Sequence, residues 1–262
     1  MVGGGGMSLI CMAVYDTDEN GRYEYTERTL ENLFCTVDWS KHRMVMIDNG
    51  SSSVTKKLLH GYELKGVRDI ITNGMNVGTA RAINQGIKMR RQGEYCVKVD
   101  NDIEIETKGW IDEMEAAIER SPEIGILGLK RKDIQFDANN SDPSYRSELV
   151  QLPHEPGQTW ITVEKGPSIM GTCTMFNCRL LDKIGGFQDC SIYGFDDSLI
   201  SLRSVLSGFW NAYLFHINID HIDNGGHPYT QEKHKIASEA WDKYNYMHAG
   251  YVNGSLPLYV EI

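Results

Sequence analysis

The segment EYCVKVDND, residues 94–102, places a short apolar run directly before an Asp-Asn-Asp triplet. The valines and the apolar character of residues 94–99 predict a buried strand. Asp100, Asn101 and Asp102 would then follow the carboxyl end of that strand, where open α/β sheets bind their ligands. Carboxylates grouped at such an end repel one another unless a positive group binds between them. The triplet is therefore the first candidate for a site of chemistry.

The residues around this segment alternate between strand-like and helix-like patterns. The predicted strands are 8–15, 43–47, 67–71, 94–99 and 124–129. The predicted helices start at Thr26, a candidate N-cap, and at residues 54, 78 and 107, the last with Thr107 as its cap. Alternation of this kind predicts βαβ units. We expect an α/β fold with a Rossmann-like, mostly parallel twisted sheet flanked by helices.

The alternation stops near Lys130, and the rest of the chain has a mixed pattern. Residues 131–165 are polar, and either an ordered excursion over the active site or a mobile loop agrees with their composition. The later predicted elements are strands 172–177 and 212–219, helices 179–184 and 197–207, and a polar helical tail over 229–248. We expect this portion to complete the same domain.

Composition excludes several classes of protein. A net charge of −10 argues against a nucleic-acid partner, which would require a basic surface. The apolar runs are far shorter than the roughly 20 residues of a transmembrane helix, which leaves only peripheral contact with a membrane open. The six cysteines include no CxxC pair, so neither a zinc site nor a redox motif is indicated. These features predict a cytoplasmic protein with reduced thiols.

A series of short motifs in one order resembles the family 2 glycosyltransferases, which have the GT-A fold. The resemblance extends over about residues 8–227. The motifs are Ala13–Asp16, Ile47–Ser52, Asn76–Gly86, Val99–Asp102 (the D-x-D motif), Gly185–Phe187, Tyr193–Asp197, and His221 with Gly225-Gly226. Each motif is weak alone, and their order makes the resemblance specific.

The resemblance implies a donor that is a nucleotide-diphosphate sugar, with a UDP-sugar favoured. The donor-binding residues that it implies are Val14, Asp16, Asp48, Asn49, Asn76, Gly78, Arg81, Asp100 and Asn101. Asp48 would accept the N3–H of a uracil-type base, because an ionised carboxylate only accepts hydrogen bonds. For Asp48 alone, a plain turn-forming role is an equal alternative.

The resemblance also implies a Mn²⁺ or Mg²⁺ ion, because oxygen ligands with one imidazole suit these metals. Asp102 would be the direct ligand and His221 the imidazole. Asp100 would contact either the ribose or water bound to the metal. His216 and His227 are weaker candidates. Arg81 and the basic run Lys130-Arg131-Lys132 lie close to the predicted site and would neutralise diphosphate, with a solvated surface as the alternative for residues 130–132.

Four aromatic residues are candidates for stacking on sugar rings: Trp160, Tyr193, Phe195 and Trp210. A place in the core is the favoured alternative for Phe195 and Trp210.

The resemblance also implies a catalytic role for the Asp196-Asp197 pair in the acceptor half. Asp197 would take the proton from the acceptor hydroxyl as it attacks the anomeric carbon, and Asp196 would hold the acceptor or orient its neighbour. The family usually has Glu at the first position, so this chain departs there. Helix capping is the alternative, since the first turn of a helix favours negative charge. A single displacement inverts the anomeric centre, as expected of an inverting hexosyltransferase.

The expected organisation has four parts. Residues 1–6 resemble a cloning leader before Met7, 7–130 form the nucleotide-sugar half, 131–228 form the acceptor half, and 229–262 form a helical tail. The acceptor would be a saccharide, a lipid-linked molecule or a protein.

Two other functions compete with sugar transfer. A sugar nucleotidyltransferase would carry a Gly-rich phosphate loop after the first strand, whereas residues 14–19 are acidic and lack glycine. A non-catalytic binding module is disfavoured by the acids at 100, 102 and 197.

Overall fold

A computed structural model describes residues 7–63, 69–134, 148–223 and 228–262. Within these ranges the strands are β1 Ser8–Val14, β2 Arg43–Asn49, β3 Asp69–Asn73, β4 Tyr95–Val99, β5 Ile103–Ile105, β6 Ile124–Arg131, β7 Glu148–Gln151, β8 Thr162–Gly166, β9 Cys173–Phe176 and β10 Trp210–His221. The helices are α1 Tyr23–Thr36, α2 Ser53–Glu63, α3 Thr79–Ile87, α4 Trp110–Arg120, α5 Cys178–Ile184, α6 Asp196–Leu206, α7 Pro228–Glu239 and α8 Trp241–Val252.

The strands form one sheet in the order β3-β2-β1-β4-β9-β6-β10-β8-β7, and β5 pairs with β10 beside this path. Strands β3, β2, β1 and β4 are mutually parallel, as are β6 and β10. Strand β9 runs antiparallel between β4 and β6, and β7, β8 and β5 are also antiparallel to their neighbours. The predicted α/β fold, with a mostly parallel sheet flanked by helices, is confirmed.

Alternate residues of β1 face two apolar layers, as a strand in the middle of a sheet requires. Ile10, Met12 and Val14 pack with helices α1, α2 and α4 on one face. Leu9 and Cys11 pack with α3, α5 and α6 on the other. Both apolar layers exclude water from the sheet. The packed sheet in turn holds in place the strand ends at which the predicted site lies.

The two predicted helix caps are wrong. Helix α1 begins at Tyr23, so Thr26 lies inside it, where its hydroxyl donates to the Asp16 carboxylate instead. Helix α4 begins at Trp110, after Gly109 in a left-handed conformation with φ 73°, and not at Thr107. In both cases a tertiary contact or a glycine turn outweighs the local preference of threonine for a cap.

The polar segment 131–165 contains ordered structure that its composition does not indicate. Strands β7 and β8 pair with each other, and β8 pairs with β10. Residues 135–147, the predicted leader 1–6, the start of the predicted strand 67–71, and the glycines and His227 within 224–227 lie outside the described residues. Within the described ranges, no helix combines the length and the apolar surface needed to cross a bilayer.

The C-terminal residues are joined to the Gly185-Gly186 turn. Gly185 has φ 70°, and a Cβ there would lie 1.9 Å from the carbonyl oxygen of Val260. The Val260 amide donates to the Ile184 carbonyl at 2.8 Å, and Gly186 returns a bond to Val260 at 3.1 Å. Only glycine permits both this conformation and this close approach.

Arg203 of α6 strengthens this connection from the interior. Its fully buried guanidinium donates to the carbonyl oxygens of Leu258 at 2.8 Å and Gly186 at 2.7 Å, and to that of Ile184. Burial lowers its pKa to about 10. Three backbone carbonyls therefore take the place of a carboxylate partner, and they link α6 to the C-terminal residues.

Glu115 is a buried acid at the opposite end of the sheet from the predicted site. It accepts a hydrogen bond from the Ser8 hydroxyl at 2.5 Å, and the His42 ring lies 3.7 Å away. Burial raises its pKa from 4.5 to about 7, although the Ser8 bond acts in the opposite direction. The native state thus favours the protonated acid, and the free energy of unfolding should fall as pH rises from about 4.5 to about 7.

Glu115→Gln should therefore stabilise the protein at about pH 8, by up to about 3 kcal/mol, and have little effect near pH 4. Urea unfolding of both proteins at the two pH values measures this difference. Glu31→Gln, on the exposed side of helix α1, is the matched control and should change neither value, because Glu31 is not among the charges that shift the pKa of Glu115. A Glu115→Gln protein that is no more stable than the parent at about pH 8 would contradict the assignment.

Candidate active site

A cleft of about 260 Å³ opens at the carboxyl ends of the parallel strands. Strands β1, β2 and β4 contribute Val14, Asn49 and the loop that follows Val99, because parallel strands end at the same edge of a sheet. The start of α6 and the end of β10 form the other side of the cleft. Residues from both halves of the chain therefore share this one depression.

Asp102 lies on one wall of the cleft and is 5% exposed. Its Oδ2 accepts from the Arg22 guanidinium at 2.5 Å and lies 3.4 Å from Nε2 of His221. Burial alone would raise the pKa of this acid, but the hydrogen bond from His221 and the charge of Arg22 hold it below its ordinary value. Asp102 is therefore a carboxylate at neutral pH.

Two atoms of the Asp102–His221 pair have no hydrogen-bond partner in the part of the chain that the structure describes. They are Oδ1 of Asp102 and Nδ1 of His221, and both are buried. Buried polar atoms are usually satisfied, so unsatisfied ones call for a specific explanation. A ligand that accepts or donates at this wall would supply one.

Asp100, which directly follows β4, pairs with the buried Lys98 of that strand. The ammonium of Lys98 donates to Oδ1 of Asp100 at 2.5 Å and to the carbonyl oxygen of Gly171. Burial would lower the pKa of Lys98, but the charges of Asp100 and Asp196 raise it above its ordinary value. The lysine is therefore charged, and it offsets part of the acidity of the cleft.

Asp196 and Asp197 open α6 beside the peptide of Gly171. One Asp197 oxygen accepts from the Gly171 amide at 3.2 Å and the other from the Ser198 amide at 2.7 Å. Burial and the charge of Asp197 raise the pKa of Asp196 to about 6. Phe195, at φ 67°, is the non-glycine residue with positive φ among those described, and such geometry concentrates at functional sites.

The cleft brings together most of the residues predicted to act there. Those that line it are Val14, Asn49, Asn76, Asp100, Asn101, Asp102, Asp196, Asp197 and His221. The Asn49 amide donates to Asn76 at 2.8 Å, and its oxygen accepts from the Val77 amide at 3.0 Å. These contacts join the ends of β2 and β3 into one wall.

Four predicted donor-binding residues do not line the cleft. Asp16 is buried and accepts from Asn101 at 2.9 Å, and Asp48 is buried and accepts from the Ser51 amide at 2.8 Å. Gly78, at φ 91°, starts α3 where a Cβ would lie 3.0 Å from Ile192. Arg81 is exposed and pairs with Asp189 at 2.6 Å, because it lies on the outer face of α3. All four therefore lie next to the cleft wall and not on it.

Several weaker candidates also lie elsewhere. His216 is exposed and contacts Glu113 at 2.5 Å, and Lys130 pairs with Glu164 at 2.8 Å. Lys132 pairs with Asp220 at 2.6 Å, whereas Arg131 does line the cleft. Of the aromatic candidates Trp160, Tyr193, Phe195 and Trp210, Tyr193 alone is a lining residue.

Three basic residues that the motifs do not indicate also line the cleft: Arg22, Lys98 and Lys233. Lys98 precedes the D-x-D motif by two residues, so its position could have drawn attention. Arg22 and Lys233 come from distant parts of the chain, and no spacing rule connects them with Asp102. Within the described ranges, no group of three or more His, Cys, Asp or Glu side chains converges as a metal ion would require.

The sequence matches the family model described as glycosyl transferase family 2 over residues 10–185. This match covers more than half of the chain. The chain therefore belongs to glycosyl transferase family 2, as its motif order predicts. A comparison with curated proteins finds no match.

Solved structures of glycosyltransferases share the fold. The S. aureus TarS 1-349 complex with UDP has a TM-score of 0.63 at 15% identity, over 94% of this chain and 65% of that one. The Pyrobaculum calidifontis mannosyltransferase PcManGT, in complex with GDP-Man and Mn²⁺, has a TM-score of 0.61 at 16% identity. That match covers 96% of this chain and 76% of PcManGT. GalNAc-T7, in complex with UDP, GalNAc and Mn²⁺, has a TM-score of 0.63 at 15% identity. That match covers 97% of this chain and 52% of GalNAc-T7. The chain thus spans less than two thirds of the length of TarS 1-349 and GalNAc-T7. At these identities the likeness defines a GT-A fold.

Proposed function

We propose that this protein transfers a hexose from a nucleotide-diphosphate sugar to an acceptor hydroxyl with inversion at the anomeric carbon. The observation that carries the proposal is the meeting of Asp102, His221 and the Asp196-Asp197 pair around one cleft. Residues 7–130 would form the donor half, 131–228 the acceptor half and 229–262 a helical tail. A UDP-sugar is the favoured donor, since TarS and GalNAc-T7 both bind UDP.

A divalent cation, Mn²⁺ or Mg²⁺, fits the donor set on the Asp102 wall. Asp102 offers the unpartnered Oδ1, and His221 stands 3.4 Å from the same carboxylate with an unpartnered Nδ1. Asp100 could contribute its second oxygen, because Lys98 binds only Oδ1. These side chains do not form a preassembled cluster within the described residues, so diphosphate oxygens would have to complete the coordination. When bound, such an ion stabilises the negative charge of the leaving nucleotide.

The chain's own residues would perform the proton transfer and positioning. Asp197 is our candidate base, and the Gly171 and Ser198 amides fix the direction of its carboxylate. Asp196, with its pKa near 6, would hold an acceptor hydroxyl and would be ionised at neutral pH. Lys98 would keep the charge of these neighbouring acids tolerable in a partly enclosed site.

The donor-side residues would act mainly as a scaffold. Asn49 and Asn76 reach the cleft and could contact the nucleoside. Asp16 would hold Asn101 in place, and Asp48 would reach a base only if its buried oxygen without a hydrogen bond turned toward the cleft. The acceptor would be a saccharide, a lipid-linked molecule or a protein.

Metal-dependent hydrolysis of nucleotide sugars tests this function against the alternative of a non-catalytic binding module. The purified protein would be incubated with UDP- and GDP-sugars, with Mn²⁺, with Mg²⁺ and with EDTA. An enzyme should release nucleoside diphosphate only in the samples with metal. Binding of nucleotide without any release, across the donor panel, would favour the module instead.

A further inference from the structure

The cleft contains four Lys or Arg side chains within the described residues, and three of them are already neutralised. Arg22 pairs with Asp102 at 2.5 Å, Lys98 with Asp100 at 2.5 Å, and Arg131 with Asp133. Each of these cations is therefore committed to a carboxylate of the protein itself. A ligand that carries negative charge would have to compete with that carboxylate for each of them.

Lys233 of α7 differs from the other three. No carboxylate of the described chain lies within ion-pair distance of its ammonium, and no described acceptor takes a hydrogen bond from it. Its neighbours are aromatic: the Nζ atom lies 5.1 Å from the ring centroid of Tyr193 and 5.1 Å from that of Tyr229. Cation–π contacts of this kind hold an ammonium in place without using its N–H donors.

Lys233 lines the same cleft as both acids of the D-x-D motif. Burial and the charge of Arg22 hold the pKa of Lys233 below its ordinary value, although the charges of Asp102 and Asp100 act to raise it. Its charge is thus felt by both acids of the D-x-D motif. A half-buried amino group without a hydrogen-bond acceptor is costly unless a ligand supplies one.

We infer that Lys233 binds the diphosphate of the donor, with Tyr193 and Tyr229 holding its ammonium at the cleft. This inference rests on the proposed function and extends it to the C-terminal helices. Helix α7 would then be part of the donor site, although it follows the last residue matched by the family model at 185. The three N–H donors of Lys233 can reach phosphate oxygens that the committed cations cannot bind without losing a partner.

Calorimetric titration with UDP, UMP and uridine, and in parallel with GDP, GMP and guanosine, tests the inference in the presence of Mn²⁺. Lys233→Met should weaken diphosphate binding by about 10- to 100-fold, the value of a charge-assisted hydrogen bond, and leave nucleoside binding unchanged. Lys233→Arg should recover part of the loss. Lys235→Met, on the exposed side of the same helix, is the matched control and should bind like the parent.

Two outcomes would overturn the assignment of Lys233 alone. In one, Lys233→Met binds UDP or GDP as the parent does. In the other, it loses affinity for diphosphate and nucleoside equally, which would indicate an effect on the fold or on the base pocket. Melting temperatures measured without ligand distinguish an effect on the fold from an effect on the base pocket. If Lys233→Met is destabilised, Lys233→Gln is the second variant for the same titrations. A parent that binds neither UDP nor GDP would overturn the proposed function itself.

Discussion

Asp102→Asn should abolish the metal-supported part of nucleotide binding. The substitution keeps the shape of the side chain and removes the charge that a divalent cation requires. Mutation of groups that only orient metal ligands lowers metal affinity by about 10- to 100-fold. Loss of the charge of a direct ligand should therefore lower metal affinity by about 100-fold or more. Titration of UDP with and without Mn²⁺ measures this loss.

The control for this experiment is Asp242→Asn, an exposed residue in the first turn of α8. It makes the same chemical change far from the D-x-D motif and should bind UDP and Mn²⁺ like the parent. Arg22 keeps its second partner, Asp223, in the Asp102→Asn protein, so the fold should survive. If Asp102→Asn bound UDP with Mn²⁺ as the parent does, the metal assignment would be wrong.

Asp197→Asn should separate binding from transfer. The variant keeps an oxygen to accept from the Gly171 or Ser198 amide, but it cannot accept a proton from the acceptor hydroxyl. General-base catalysis contributes about 10²- to 10⁴-fold, and transfer should fall by that factor. Donor affinity should not change, because Asp197 lies on the acceptor side in the proposed arrangement.

The measurement combines a donor titration with an assay of sugar transfer or donor hydrolysis. Asp182→Asn on α5 is exposed and serves as the control. Asp196→Asn should be run beside it, because the two acids are neighbours. A larger loss of transfer for Asp196→Asn than for Asp197→Asn would exchange the roles assigned to them. Equal loss of donor binding and transfer in Asp197→Asn would place that residue in the donor site instead.

The features that the sequence predicted well depend on local patterns. Buried strands such as β1 show apolar runs, and the order of motifs predicts that Asp102, His221 and the Asp196-Asp197 pair share one site, as the cleft shows. Both signals come from residues close together in the chain or from their order along it. The residue roles attached to these positions stay predictions.

The features that were missed depend on contacts between distant segments. Arg22 reaches Asp102 across 80 residues, and nothing in its surroundings marks it as a partner of the D-x-D motif. Lys233 lies in a polar helix whose composition indicates only a solvated surface. Strand β5 has three residues, too few for a period to be recognised. Contacts between distant segments, and not local propensity, determine all three.

The contacts of Arg203 have a practical consequence for exchanging parts with other GT-A proteins. Because its guanidinium binds carbonyls at 184, 186 and 258, helix α6 and residues 258–262 form a single module with the Gly185 turn. A crossover placed between them would leave a fully buried cation without its acceptors. Chimeras should therefore take both segments from the same parent, with the junction before β9.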